Sequence, residues 1–251
     1  GVTMVTEGAF VGEHSPRVAL PGGGASAGLM QERLALQDGR EYAARLVLAA
    51  DASAGPVEVS LVWGGGGTMR QTVAVTDLGP GYRTHSLRFR AGGTTDNGRL
   101  EVTARGTGAM TIDAVSLMPA DNVFGWRRDT LALLRELDSP VYRWPGGNFV
   151  SGYDWKDGIG DPDRRPPRKN PAWKGVEPND VGLHEFMTLC RLLGTEPYVA
   201  VNTGKGGPGS AAELVEYANG AATTPMGRRR AENGSARPFG VKLWAVGNEM
   251  Y

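Results

Sequence analysis

The sequence is poor in cysteine and histidine. Its single cysteine, Cys190, excludes an internal disulfide and a zinc site built from cysteines. Cys190 lies in an apolar helical pattern, so we expect a buried thiol rather than a nucleophile. The three histidines, His14, His85 and His184, show no grouping as a metal triad, and His184 is expected to be structural or solvated. The sequence therefore predicts no metal centre.

Charge of neither sign is in excess, because 27 Lys and Arg residues balance 27 Asp and Glu residues in a chain of 251 residues. This balance leaves no net field that would attract nucleic acid or an anionic membrane. The longest apolar stretches, such as residues 46–50, are far too short to span a bilayer. We therefore expect neither nucleic acid nor a membrane as a partner.

Both ends of the sequence lack the usual signals. The chain begins at Gly1 rather than at an initiator methionine, and it stops two residues after a motif that we interpret as functional. We expect further segments before and after it, so the missing signal peptide carries no weight. The compartment, cytoplasmic or secreted, stays open, and so does a homo-oligomeric state.

Residues 1–118 are predicted to form a β-sandwich of the jelly-roll type. Short apolar or alternating segments are separated by glycine, proline and aspartate turns, which is typical of sandwiches and jelly rolls. The predicted strands cover residues 42–49, 57–63, 71–75, 84–89, 100–103 and 110–117. No long periodic helix is visible in this half.

Residues 119–251 alternate between helix and strand. Helices are predicted at 129–137, 183–193 and 211–218, and strands at 141–144, 196–202 and 241–246. This alternation is typical of a parallel α/β sheet. A loop of about thirty residues separates the first strand from the second helix, and its length favours a functional role.

Polar residues follow each of the three predicted strands. The strand ends read Arg143-Trp144-Pro145-Gly146-Gly147-Asn148, Val201-Asn202-Thr203-Gly204 and Val246-Gly247-Asn248-Glu249. In a β/α barrel this edge of the sheet holds the active site. The amide of Asn248 is suited to holding a sugar hydroxyl, and the carboxylic acid of Glu249 to protonating a glycosidic oxygen.

These motifs closely resemble family 51 glycoside hydrolases, the α-L-arabinofuranosidases. The matching runs are 143–153, 155–160, 172–177, 182–186, 200–204 and 247–250. A single run would be weak, but their order across residues 120–251 is specific. The resemblance implies a (β/α)8 barrel, of which residues 119–251 would form strands two to four. It also implies retaining removal of terminal α-L-arabinofuranosyl units from arabinoxylan, arabinan or arabino-oligosaccharides, without a metal ion or an organic cofactor.

The same resemblance implies the catalytic roles. Glu249 would be the general acid/base, and Arg143 would hydrogen-bond the nucleophilic carboxylate, although Arg143 is also suited to a structural ion pair. The nucleophile would come from a strand after residue 251, and the first barrel strand would precede residue 1. The sequence would then be a fragment that is inactive by itself.

Five residues are implied to form the substrate-binding site, and Arg143, beneath it, is one of them. Asn248 would contact the 2-hydroxyl of the sugar, and Asn148 with the Gly147 backbone would line the arabinose subsite. Trp173, in the long loop, would flank the sugar. Other interpretations stay open, because Asn148 is also suited to capping a turn and Trp173 to closing the loop as a core aromatic residue.

The first half resembles, more loosely, jelly-roll modules related to carbohydrate-binding families 4 and 9. In some family 51 enzymes such a module is inserted after the first barrel strand. Sugar-binding modules stack sugars on aromatic rings, and the aromatic residues here are few and scattered. Both sugar binding and a purely structural role stay open. The residues in question are Phe10, Tyr42, Trp63, Tyr82 and Phe89.

Two rival functions remain at this point: a related xylosidase or endoglucanase, and a non-catalytic carbohydrate-binding protein. The Gly24-Ala25-Ser26-Ala27-Gly28 run resembles an esterase motif but lacks the strand–turn–helix setting that would expose its serine. Glu177 and Asn179 are expected to shape the long loop, and Asn202 to support the site or the fold. The basic run 164–169 is predicted to be a solvated loop.

Overall fold

The computed structural model describes residues 1–170 and 172–249. Contacts divide the chain into two compact units that separate between Arg127 and Arg128. The predicted domains, 1–118 and 119–251, stay a prediction. The last strand of the first unit ends at Pro119, one residue beyond the predicted boundary. Within the described residues, no helix has the length and apolarity needed to cross a membrane.

The first unit is a sandwich of two antiparallel sheets, as the turn-punctuated pattern predicts. Its strands are β1 Val2–Val5, β2 Ser15–Pro21, β3 Ala27–Leu36, β4 Glu41–Ala50, β5 Val57–Val62, β6 Arg70–Val75, β7 Arg83–Arg90, β8 Thr95–Ala104 and β9 Thr107–Pro119. One sheet has the order β1-β2-β9-β4-β7 and the other the order β3-β8-β5-β6. The side chains that share the core come from both sheets, among them Leu46 and Met110 of the first and Val59 and Leu61 of the second.

Three strands at the beginning of the chain escape the sequence pattern. Strand β1 is mostly exposed, so it lacks a buried face that would reveal it. Strand β2 contains two prolines, which normally weigh against a strand. In β3 the alternation is broken, because Arg33 has a positive φ of 62° and the pairing with β8 shifts register between Gln31 and Leu34.

Two of the five aromatic residues named for the sandwich lie in its core. Tyr42 and Phe89 are 4% and 2% exposed and belong to the core. Trp63 is partly buried against the same core, and the Phe10 and Tyr82 rings lie 5.4 Å apart in a tilted pair. Two of the five candidates are thus closed to a ligand, and sugar binding by this unit stays a prediction beside the structural role.

The second unit alternates helices with parallel strands, as predicted. Its helices are α1 Arg128–Leu137, α2 Leu183–Leu193, α3 Gly207–Asn219 and α4 Pro225–Glu232, and its strands are β10 Val141–Trp144, β11 Arg168–Lys169, β12 Val176–Glu177, β13 Glu196–Val201 and β14 Leu243–Val246. Strands β10, β13 and β14 pair in parallel, in that order, and β11 and β12 form a small antiparallel pair in the long loop. Successive β/α units of a (β/α)8 barrel have this parallel arrangement.

Helix α2 shows why its bounds follow from the sequence. Glu185 accepts a hydrogen bond from the Gly182 N–H at the first turn, and Gly194 ends the helix in the left-handed region at φ 72°. Between these ends the apolar face packs into the core, where the predicted burial of Cys190 is confirmed. Burial raises the pKa of the Cys190 thiol to about 11, so a thiolate is not available at neutral pH.

Helix α4 was not predicted, because its sequence is short and polar. Its start is capped by Thr224, whose hydroxyl accepts from the Gly227 N–H. The helix is held by Arg230, which is fully buried and donates to backbone carbonyls. The acceptors are the carbonyl oxygens of Tyr217, Gly220, Ser235 and Ala236.

The prediction of a solvated basic loop at 164–169 is wrong for Arg165. Arg165 as a whole residue is 4% exposed, and its guanidinium donates to both carboxylate oxygens of Glu185 at 2.9 and 3.0 Å. It also donates to the carbonyl oxygens of Gly160 and Asn179. Arg165 therefore anchors the long loop to the start of α2, and a charge run gives no sign of such long-range pairing.

Candidate active site

The ends of the three parallel strands are held together by hydrogen bonds. The Gly247 N–H, after β14, donates to the Val201 carbonyl at the end of β13 at 3.1 Å. The Asn248 amide donates to the Gly147 carbonyl, beyond β10, at 3.0 Å. Residues that follow different strands are thus brought to one edge of the sheet.

Gly147, Trp173 and Glu249 meet at this edge. A Cβ placed on Gly147 would lie 2.5 and 2.6 Å from two atoms of the Trp173 ring and 3.8 Å from Oε2 of Glu249. The φ of Gly147 is 66°, a region that favours glycine. Position 147 therefore requires glycine for two reasons: its φ is positive, and a side chain there would overlap the Trp173 ring.

Glu249 has an unusual backbone for a residue with a side chain. Its φ is 47°, in the left-handed region, where non-glycine residues cost roughly 1–2 kcal/mol. Such outliers are concentrated at functional sites. The residue is exposed, and its carboxylate has no hydrogen-bond or ion-pair partner among residues 1–170 and 172–249. Its carboxylate is therefore free to meet a ligand.

The remaining sequence-predicted site residues lie nearby. Asn248 is 8% exposed, and its bond to Gly147 fixes the amide. Asn148 is exposed at the start of a 3-10 turn, Asn148–Gly152, directly after Gly147. Arg143 is exposed on β10, with a guanidinium nitrogen 3.6 Å from the Cβ position of Gly146. The structure thus places all six candidates on or beside one edge, while their roles stay predictions.

Trp173 is not a core aromatic residue, since 57% of it is exposed. Its backbone N–H donates to the Asn170 side chain at 2.9 Å, and its ring stacks on Phe149 with centroids 6.3 Å apart. The long loop therefore carries an exposed indole back to the strand ends. The sequence alone gives no contact between residues 147 and 173.

Asn202 and His184 have structural partners. The Asn202 amide donates to the Tyr153 carbonyl at 3.0 Å and accepts from the Gly204 N–H, so it ties the end of β13 to the loop after β10. His184 bonds the Tyr217 hydroxyl at 2.7 Å, and burial lowers its pKa. Among the described residues no group of three or more His, Cys, Asp or Glu is placed to hold a metal ion.

Comparisons with known proteins agree with these motifs. Residues 133–251 match the family described as alpha-L-arabinofuranosidase 1 domain. The chain is 47% identical over 133 residues to the probable alpha-L-arabinofuranosidase C of Aspergillus clavatus, which covers 53% of this chain and 26% of that protein. It is 46% identical over 134 residues to the intracellular exo-alpha-(1->5)-L-arabinofuranosidase of Streptomyces lividans, covering 53% of this chain and 20% of that protein. The chain thus spans about a quarter or less of the length of these relatives.

Two solved structures extend the comparison. The arabinose-bound MgGH51 α-L-arabinofuranosidase superposes on 99% of this chain and 46% of its own, with a TM-score of 0.87, and at 20% identity it shows the fold alone. The GH51 α-L-arabinofuranosidase of Thermotoga petrophila RKU-1 is 43% identical over 53% of this chain and 28% of its own, with a TM-score of 0.51. The resemblance of residues 133–251 to the α-L-arabinofuranosidases of glycoside hydrolase family 51 is therefore confirmed.

Proposed function

We propose that the full-length protein containing this chain is a retaining α-L-arabinofuranosidase with Glu249 as its general acid/base. The observation that carries the proposal is the meeting of Gly147, Trp173 and Glu249 at the carboxyl ends of parallel strands. In β/α barrels this edge holds the active site. The substrates would be arabinoxylan, arabinan or arabino-oligosaccharides, and the relatives named above support this choice.

The chemistry needs two carboxyl groups. A nucleophilic carboxylate, which the family resemblance assigns to a later strand, attacks the anomeric carbon while the Glu249 carboxylic acid gives its proton to the departing glycosidic oxygen. The glycosidic bond breaks and an ester to the enzyme forms. Glu249, now a carboxylate, then takes a proton from the water that attacks the same carbon. The ester bond breaks in this step, which releases arabinose and restores the nucleophilic carboxylate. Retaining enzymes hold the two carboxyl groups about 5–5.5 Å apart.

The neighbours of Glu249 suit this role. The exposed Trp173 ring offers a flat apolar face to a sugar, and the lack of a side chain at Gly147 lets that ring lie against the backbone. The side-chain Nδ2 of Asn248 donates to the Gly147 carbonyl. The side-chain oxygen of Asn248 is then the group that would accept a hydrogen bond from a sugar hydroxyl. Asn148 is exposed on the same turn and contributes a further amide.

The deciding experiment measures the full-length protein on 4-nitrophenyl α-L-arabinofuranoside, β-D-xyloside and β-D-glucoside. We expect the arabinofuranoside to have the highest kcat/KM by far and the first product to keep its anomeric configuration, as followed by proton NMR. Preference for the xyloside or glucoside would assign the protein to a related glycosidase. Binding without any turnover would assign it to the non-catalytic carbohydrate-binding class.

A further inference from the structure

The hairpin that carries Trp173 has little apolar contact to hold it in place. Its strands, β11 and β12, have two residues each and pair in antiparallel fashion. Three of these four residues are exposed, and Val176 is 71% exposed. A two-stranded hairpin is only marginally stable by itself in water. Polar contacts must therefore determine where this hairpin, and the indole in its turn, are placed.

An ion pair joins the base of the hairpin to the rest of the long loop. Arg168, the first residue of β11, donates to both carboxylate oxygens of Asp157 at 2.8 and 3.1 Å. Such a two-point contact between a guanidinium and a carboxylate fixes direction as well as distance. The contact lies at the start of β11, so the turn at the other end of the hairpin is held by other groups.

Asn170 holds that turn. Its Oδ1 atom accepts hydrogen bonds from the backbone N–H groups of Ala172 and Trp173, both at 2.9 Å. Its own N–H donates to the Gly175 carbonyl, also at 2.9 Å, and so closes the turn. An asparagine side chain that accepts from N–H groups shortly after it takes the place of a backbone carbonyl in a turn. One side-chain oxygen therefore fixes the backbone from which the indole extends.

The fixed backbone places the indole at the strand ends. The Trp173 ring stacks on Phe149 with an interplanar angle of 19° and centroids 6.3 Å apart. Two of its ring atoms lie 2.5 and 2.6 Å from the Cβ position of Gly147, which is 3.8 Å from Oε2 of Glu249. Because 57% of Trp173 is exposed, burial contributes little to holding the ring there. The position of the ring therefore depends strongly on the hydrogen bonds that Asn170 accepts.

We propose that Asn170 is a positioning residue of the active site, which acts on the substrate through Trp173. Its Oδ1 atom keeps the indole beside Gly147, so that the sugar meets a surface that is already formed and need not order it on binding. The inference rests on the proposed function, because it requires a sugar at Glu249. Asn170 touches neither the sugar nor the reacting atoms and is therefore not a catalytic residue.

The test compares three single variants of the full-length protein. Asn170→Ala removes the acceptor, whereas Asn170→Asp keeps an oxygen that accepts from the same two N–H groups. Asp161→Ala is the matched control, because the Asp161 side chain accepts from the Asp163 N–H at 3.0 Å in the same long loop. The control loses the same kind of bond at a turn, Pro162–Arg164, that carries none of the candidate site residues.

We expect Asn170→Ala to raise KM for 4-nitrophenyl α-L-arabinofuranoside about three- to tenfold, at most the rise caused by removing the ring. The value of kcat should change less than about twofold, since the ring binds the sugar and takes no part in proton transfer. Asn170→Asp should restore most of the affinity, and Asp161→Ala should leave KM unchanged. An unchanged KM in Asn170→Ala, or an equal rise in Asp161→Ala, would overturn the inference.

A double variant shows whether Asn170 acts through the indole. In Trp173→Ala protein, the further change Asn170→Ala should not raise KM again, because the group that Asn170 positions is already absent. Residues that act on one contact are non-additive in this way, whereas the effects of independent sites add. If the two changes instead multiply their effects on KM, Asn170 acts by a route other than Trp173 and the inference is wrong.

A measurement without turnover separates this inference from the proposed function. The full-length protein is labelled with 5-fluorotryptophan, and the fluorine NMR resonance that is missing in Trp173→Phe identifies Trp173. This resonance should move in Asn170→Ala and stay in place in Asn170→Asp and Asp161→Ala. A resonance that does not move in Asn170→Ala would contradict the positioning role. If the wild-type protein cleaves no arabinofuranoside, the proposed function fails, and the resonance still reports whether Asn170 holds the indole.

Discussion

Two groups of polar residues lie within the same unit and differ in what surrounds them. At the base of the long loop, Arg165 and Glu185 are ion-paired, and Arg165 is almost completely buried. At the strand ends, Glu249 and Trp173 are exposed, and the Glu249 carboxylate has no partner within the described residues. Charged groups that support the fold are saturated by the chain itself, whereas those offered to a ligand are left open. The following predictions test that contrast.

The largest effect on stability is expected at Arg165. Arg165→Met keeps the apolar stem but removes the Arg165 donors from the Gly160 carbonyl and from the Glu185 carboxylate, which keeps only the Gly182 N–H. Removing one partner of a buried ion pair costs about 3–5 kcal/mol, and the partial exposure of Glu185 moves the expected loss to about 3 kcal/mol. Urea unfolding of the full-length protein measures it. Lys174→Met, at an exposed position of the same loop, is the control, with an expected change within about 0.5 kcal/mol. Similar losses in both variants would contradict the contrast.

A substitution at the strand ends should reduce activity more than stability. Gly147→Ala places a methyl group against the Trp173 ring and strains a backbone at φ 66°. We expect kcat/KM to fall by about 10- to 100-fold, since a displacement of about 1 Å near the chemistry has an effect of this size. Gly146→Ala is the matched control, because its Cβ would meet Arg143 at an ordinary 3.6 Å and should cost far less. Equal losses in the two variants would contradict the special status of position 147.

The stability that the Arg165–Glu185 ion pair contributes should also depend on pH. Burial alone would raise the pKa of Glu185, but hydrogen bonds from Arg165 and from the Gly182 N–H outweigh burial and lower it. A carboxylate with a lowered folded pKa contributes stability above its unfolded value of 4.5, and this contribution is lost as pH falls through the folded value. The stability difference between wild type and Glu185→Gln should therefore shrink below about pH 4.5. A difference that stays constant as the pH falls through this range would contradict the role of these hydrogen bonds.

The smallest effect is expected at Trp173. Trp173→Ala removes an exposed ring, so the free energy of unfolding should change by less than about 0.5 kcal/mol. KM for arabinofuranosides should rise about three- to tenfold, because one stacking face for the sugar is lost. Trp173→Phe should retain most of the affinity. A large loss of stability in Trp173→Ala would show that the ring supports the loop instead of the ligand.

The sequence predicts the regular elements of the second unit well and its long-range contacts poorly. Strand β10 and helix α2 have the predicted bounds, because apolar periodicity and glycine stops are local signals. The roles of Arg165 in the loop and Arg230 in α4 depend on carbonyl groups distant in sequence, and composition does not show them. The candidate site divides in the same way. Its residues follow from strand ends, but the contact between Gly147 and Trp173 depends on how the long loop returns.

The central claim is tested most directly by Glu249→Ala in the full-length protein, measured on two leaving groups. General acid catalysis is worth about 10²–10⁴-fold where the leaving group needs a proton. We therefore expect kcat/KM for arabinotriose to fall by that order. For a 2,4-dinitrophenyl arabinofuranoside, whose dinitrophenolate departs without protonation, kcat/KM should fall far less. Equal losses on both substrates would contradict the assignment of Glu249 as the acid.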